Sequence, residues 1–296
     1  MNRIGRFCRG AVVLAVAAVA VLSGTTSAGA DPLPKSTVDG WRVVAQHEVD
    51  TATQNQGVAT VHPWFGRPYE YYMGNAAIRP EQRAEGWSHV GDPDSRFGFR
   101  FDAYQYGLDN PTSKMFLVTT PTGQRYEYTH PLAAGEQMNN SYAAVSLDGQ
   151  WLVSGEWDTM NHLLVLPTPI LNPATPRAGG TLPLAAHINL DHPVRNVQGC
   201  TFVSARQLLC ATDDDGTDLY PTTKQLLRID LPTALHGRDV TAHVTSLGQL
   251  PLASSCQGAF EVEGDDYDAF TGTLRVLVIP PAPCDAKTTV YEFRRR

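Results

Sequence analysis

Sustained 3.6-residue apolar periodicity is absent from this 296-residue chain, which excludes a helical bundle and argues against alternating strand–helix folds. Cysteine is scarce, five in all, and no two are spaced C-x-x-C, so zinc ribbons and thioredoxin-type redox motifs are excluded. No G-x-S-x-G elbow and no H-E-x-x-H helix is present, which removes the usual signatures of a serine hydrolase and a zinc peptidase. Beyond residue 30 there is no apolar run long enough to cross a bilayer. Cationic side chains are in the minority, with 23 Lys and Arg against 30 Asp and Glu.

What the first 30 residues do contain is a basic start (Arg3, Arg6, Arg9), the uncharged run Ala11–Leu22, and the small-residue triplet Ala28-Gly29-Ala30. That order is the signature of a secretory signal peptide (1–30) cleaved after Ala30, and it predicts a secreted, extracellular protein with one domain over 31–296. Cleavage leaves 20 basic and 30 acidic side chains, a formal charge of −10. Such a surface repels phosphate backbones, so nucleic acid is excluded as a partner, as is a membrane after cleavage. The expected partner is a small molecule, a glycan or a protein, and the expected state is a monomer. The four cysteines that remain, Cys200, Cys210, Cys256 and Cys284, suit two disulfides in an exported chain.

The rest reads as strands and turns. Asp148-Gly149 between two β-rich segments is a strong hairpin signal, Pro121-Thr122-Gly123 repeats the logic, and 25 glycines with 21 prolines fit a chain of many turns. Five times a residue, usually polar, and a small one precede a short strand: "NQGVATVHPWFG", "HVGDPDSRFG", "NNSYAAVSLDG", "VQGCTFVSARQ" and "VEGDDYDAFTG". The small residues, Gly57, Gly91, Ser141, Gly199 and Gly264, are 34, 50, 58 and 65 apart. Units of that size with several strands each are the pattern of propeller blades. The prediction is all-β: a five-bladed β-propeller, with room for a sixth blade in the longest gaps. Trp41–Val49 has no repeat before it, whereas the fifth unit is one strand short, so the N-terminal strand is expected to close the last blade. A Ser204-Ala205-Arg206 turn sets Cys200 opposite Cys210, leaving Cys256 to pair with Cys284.

First strands of propeller blades line a central channel, so residues before each small one share a depth. Those residues are Gln56, Val90, Asn140, Gln198 and Glu263. His89 and Asp92 flank the apolar Val90, and Glu261 alternates onto the face of Glu263, so the expected channel-lining set is Gln56, Asp92, Asn140, Gln198, Glu261 and Glu263. Hard oxygen donors suit Ca2+, for which Asp92, Asn140 and Glu263 are the expected metal ligands. Ligand or metal binding is the first functional expectation. The alternative is a metal-dependent hydrolase of an ester, lactone or glycoside at the channel mouth, with His89 as the catalytic proton acceptor. For a glycosidase the available carboxylates are Asp92, Glu136, Glu156, Glu261 and Glu263. Glu156-Trp157-Asp158 suits a sugar-binding surface, while Asp213–Asp218 and the pair His187/His192 read as solvated loops.

Glu263-Gly264 opening an inner strand, with Asn and Asp in the companion positions, resembles the calcium-dependent lactonases and arylesterases of the gluconolactonase and paraoxonase type. That resemblance implies a propeller with a central calcium held by Glu, Asn and Asp, and ester or lactone hydrolysis. The type is six-bladed, whereas five units are counted here, and Gln56 and Gln198 depart from its pattern.

Overall fold

The computed structural model describes residues 33–107, 112–156 and 158–296. The expected signal segment and cleavage point, and Trp157, lie outside these. The chain begins with β1 (Trp41–Asp50) and a one-turn helix α1 (Thr51–Gln54), whose Ala52 amide donates to the Asp50 carboxylate at 3.0 Å. A hairpin of β2 (Gly57–Val61) and β3 (Tyr69–Met73) follows, then the short α2 (Pro80–Ala84). The second sheet is built from β4 (Trp87–Val90), β5 (Asp94–Arg96), β6 (Phe99–Tyr106), β7 (Ser113–Thr119) and β8 (Arg125–Pro131). Next come β9 (Ala144–Val145), β10 (Trp151–Ser154) and β11 (Thr159–Pro167); β12 (Gly180–Thr181) reaches back to pair in parallel with β8, and β13 (Ala186–Arg195) completes the third meander. The fourth is β14 (Val197–Ser204), β15 (Gln207–Thr212), β16 (Gln225–Asp230) and β17 (Val240–Gln249). The chain ends with β18 (Glu261–Asp268), β19 (Thr273–Ile279) and β20 (Lys287–Arg295).

The protein is all-β, and no helix of the described residues is long and apolar enough to cross a membrane. The final sheet is completed from the other end of the chain. β1 runs antiparallel to β20, from Trp41 opposite Arg295 to Asp50 opposite Lys287, giving the order β1-β20-β19-β18. β13 and β17 pair in parallel and join the third and fourth meanders into one eight-stranded sheet. The first strands touch in cyclic order: β2 beside β5, β5 beside β9, β9 beside β14, β14 beside β18, and β18 beside β2.

Each sheet presents two apolar faces, which explains the packing. Met73, Trp87 and Tyr104 fill the gap between the first and second sheets, and Phe101, Phe116 and Leu152 that between the second and third. Phe202, Ile188 and Val153 lie between the third and fourth meanders, and Leu226, Val262 and Phe293 between the fourth and the last. Val58, Leu277 and Val290 complete the circuit. A small sheet cannot bury both faces by itself, so stacking is its route to a core.

The predicted disulfides are both formed, Cys200 with Cys210 and Cys256 with Cys284. The hairpin that aligns the first pair is built differently from the expectation. Ser204 pairs with Gln207 across a two-residue turn, and a bulge at Val203 restores Phe202 opposite Leu208 and Cys200 opposite Cys210. The other hairpin signal folds as read: Gly149 adopts φ 73, and Val145 lies opposite Leu152.

Candidate functional site

The small residues of the five repeats meet on the axis of the ring, where Asp92 sits. A Cβ on Gly199 would fall 2.5 Å from Asp92 Oδ2 and 2.6 Å from the Asp265 amide nitrogen, and Cβ atoms on Gly57 and Gly264 would also strike the Asp92 side chain. Glycine is therefore a packing requirement at these points. The Val58 amide donates to Asp92 Oδ1 at 2.9 Å and the Asp265 amide to Oδ2 at 3.1 Å. Its backbone is tied to the third sheet by Asp92 N–H to Ser141 O at 2.6 Å and Ala143 N–H to Asp92 O at 2.9 Å. Burial, and then the neighbouring Asp265 carboxylate, push Asp92 well above the ordinary carboxylate range. Asp265 is raised in the same way, chiefly by burial, and both its buried oxygens lack a hydrogen-bond partner.

The expected calcium ligands do not share a coordination sphere. Asp92 spends its oxygens on backbone amides. Asn140 turns away from the axis, donating to Tyr104 O and Met115 O at 3.1 Å each and accepting from Ser154 Oγ at 2.8 Å. Glu263 accepts from Gln56 Nε2 at 3.1 Å, and burial followed by the Glu261 charge raises its pKa well above the usual range. Gln56, Glu261 and Glu263 thus gather at the upstream end of the first strands, with Glu261 exposed and Gln198 half-buried at the start of β14. The set Asp92, Asn140 and Glu263 does not fit a calcium ion, because Asp92 and Asn140 spend their side-chain atoms on protein partners and Glu263 gives one oxygen to Gln56.

His89 lies on β4, half-buried, and burial lowers its pKa. It lines a cavity of about 430 Å³ with Gln105, Gln137, Met138 and Asn139. Next to it, Glu136 and Glu156 border a second cavity of about 280 Å³ with His162 and His187. Both acids are engaged. Glu136 is held by Lys114 Nζ at 2.8 Å, His130 Nε2 at 2.9 Å and the Ala133 amide at 3.0 Å; burial pushes it up, but these contacts win and bring it to about 2. Glu156 faces His162 Nε2 at 2.7 Å and accepts from the Gln137 amide at 3.0 Å. Asp213, in the acidic loop expected to be solvated, accepts from the Val262 amide at 2.7 Å and from Lys224 Nζ at 2.6 Å. His187 and His192 belong to strand β13, not to a loop.

A site that the ring reading did not anticipate lies at the downstream end of the first strands. A cleft of about 360 Å³ is lined by Thr60, His62, Trp64, Arg96, Phe97 and Phe270, among others. Its aromatic rim is open to solvent: Trp64 is 61% exposed, Phe97 55% and Phe270 83%. Local geometry holds the rim in place. Arg96 lies opposite Phe99 across the two-residue turn Phe97-Gly98, in which φ is 54 at Phe97 and 79 at Gly98. That turn type requires positive φ at both positions, and a bulky residue there is strained. Trp64 Nε1 donates to the strained residue's carbonyl, Phe97 O, at 2.8 Å. His62 Nε2 meets Asp268 Oδ1 at 2.9 Å, and its ring lies 4.3 Å from that of Phe270. Below, Arg96 Nη2 donates to Val145 O at 3.3 Å while its buried Nε has no partner. Thr60 Oγ1 donates to Asp266 Oδ2 at 2.5 Å and accepts from Arg275 Nη1 at 2.8 Å. The signal for this cleft is an aromatic residue just ahead of a turn glycine in the repeats: Trp64 before Gly66, Phe97 before Gly98 and Phe270 before Gly272.

No protein-family model matches the chain, and no curated protein does, so the lactonase-type resemblance has no sequence-level support. Among solved structures, the chain is similar to a glycosyl hydrolase from Bacteroides ovatus at 12% identity and a TM-score of 0.41, over 72% of this chain and 68% of that one. It is also similar to the Dos1 propeller, at 8% identity and a TM-score of 0.33 over 76% and 59% of the two chains. A hypothetical selenium-binding protein from Sulfolobus tokodaii shares 12% identity at a TM-score of 0.32, over 51% and 39%.

Proposed function

We propose that this is an exported five-bladed β-propeller that binds a carbohydrate in the aromatic cleft at the downstream end of its first strands. The cyclic contacts of β2, β5, β9, β14 and β18, with apolar clusters between successive sheets, support the blade count. Two disulfides support an oxidising, extracellular setting. The observation that carries the binding site is the exposed trio Trp64, Phe97 and Phe270 above hydrogen-bonding side chains. Contiguous exposed aromatic surface on a soluble protein marks an interaction site. Flat rings suit the apolar C–H face of a sugar, while the His62 imidazole and the Arg96 guanidinium suit hydroxyls at its edges.

The axis contributes structure in this reading, as Asp92 fills it. At the upstream end Glu136 and Glu156 are committed to internal partners, whereas the downstream rim leaves its aromatics uncovered. The test is calorimetric titration with a panel of soluble oligosaccharides, together with Trp64 fluorescence. Binding by the wild type that is lost in Trp64→Ala and in Phe270→Ala, with unfolding free energies within about 0.5 kcal/mol of wild type as befits surface sites, is the expected result. Binding that persists in both variants, or a panel without a single binder, rejects the carbohydrate reading.

A further inference from the structure

We infer that the parallel outer strands β13 and β17 carry a surface site for a borderline divalent transition metal, of the zinc, nickel or copper class, formed by Asp191, His192 and His243. Register creates it. Asn189 pairs with Thr241 and Leu190 with Ala242, so the next step along both strands brings Asp191 beside His243, which is 52 positions away in sequence. Among the described residues, these three offer ligand atoms that all lie within 4.8 Å of one another. Asp191 Oδ2 is 2.5 Å from His243 Nδ1, and Oδ1 is 3.1 Å from His192 Nδ1. The Val244 amide also donates to Oδ1 at 2.9 Å, which fixes the carboxylate on the strand edge. The two imidazole rings stand 6.2 Å apart at 76°, turned so that both converge on the one carboxylate.

Two imidazoles and a carboxylate form the donor set of zinc and copper sites, and they leave coordination positions for water. Calcium and magnesium, which take oxygen ligands, are disfavoured by the nitrogen donors. A bound ion would clip the outer strand of the third meander to that of the fourth. The site shares no residue with the aromatic cleft.

The experiment is titration of chelator-stripped, tag-free protein with Zn2+, and electron paramagnetic resonance of the Cu2+ form. One Zn2+ per chain is expected, weakened about tenfold or more in His192→Ala and in His243→Ala, since even outer-shell losses cost that much. The exposed His236→Ala is the control and leaves binding unchanged. The Cu2+ spectrum should show nitrogen hyperfine structure from two imidazoles, falling to one in His192→Ala. No saturable Zn2+ binding, binding as tight as the wild type's in both histidine variants, or a Cu2+ spectrum without nitrogen coupling overturns the inference. The spectrum of the wild type tests it independently of how the variants fold.

Discussion

Replacing Gly264 by Ala puts the reading of the axis at risk. An added Cβ would fall 2.7 Å from Asp92 Cβ and closer still to Asp92 Oδ1 and Cγ. Asp92 is fully buried and has no open space to move into, so β18 must shift or Asp92 must withdraw. Overpacking of this kind costs about 1–3 kcal/mol. Withdrawal leaves the Val58 and Asp265 amides without their acceptor, at about 1–3 kcal/mol each. The cost is therefore about 1–3 kcal/mol if β18 shifts and about 2–6 kcal/mol if Asp92 withdraws, against a total stability of roughly 5–15 kcal/mol. Asp92→Gly removes every atom in the clash while sacrificing the same two hydrogen bonds. Gly264→Ala made on that background should therefore be close to neutral, and the double mutant should fall short of additivity by nearly the whole cost of Gly264→Ala alone. Urea denaturation of the four proteins measures this coupling. Additive effects, or a Gly264→Ala protein within about 0.5 kcal/mol of wild type, would show that the axis is not packed as described.

Three further outcomes are expected. Asp94 and Asp102 are both raised to about 6, by burial first, with Arg96 and Arg100 respectively in opposition. Their folded pKa values exceed the unfolded ones, so the stability they contribute is complete below pH ~4 and is lost as pH climbs through ~6, by about 3 kcal/mol per group. Thermal melts should accordingly fall from pH 4.5 to pH 7, as pH values chosen about that window. Asp102→Asn, which keeps an acceptor for Tyr71 and removes the charge, should flatten the profile; a wild-type profile without slope refutes the assignment. Converting Cys200 and Cys210 to Ser opens a link of sequence separation 10, and should cost about 3 kcal/mol in urea denaturation, with a loss under about 1 refuting it. Trp41, 4% exposed on β1 and packed with Tyr291 and Phe293, should lose about 3–5 kcal/mol on change to Ala. A smaller loss would mean that the N-terminal strand does not hold the final sheet closed.

Backbone features were the legible part of the sequence. Small residues at 57, 91, 141, 199 and 264 have to be small because chains meet there, and that steric demand repeats in the sequence. The cysteine pairing followed from hairpin register, which survives a wrong turn length because the Val203 bulge compensates for it. Side-chain direction was not legible. A repeat puts Val90 and Asn140 at one depth with Asp92 flanking, but does not show that Asp92 crosses the axis while Asn140 turns back to Tyr104 and Met115. Each glycine that admits the chain also removes a side chain, and one neighbour then fills the space. That neighbour is Asp92, so the residues expected to line a central channel became its plug and its wall. Asp191 and His243 illustrate the second barrier, as parallel pairing of β13 with β17 joins segments whose separation carries no motif. The aromatic cleft was closer to reach. Trp64, Phe97 and Phe270 each lie just ahead of a turn glycine, where positive φ forces the chain to reverse and a large apolar residue has no core to enter. An apolar side chain repeated at positions that cannot be buried is a binding signal in the sequence itself, and it depends on the turn geometry, not on the strand that precedes it.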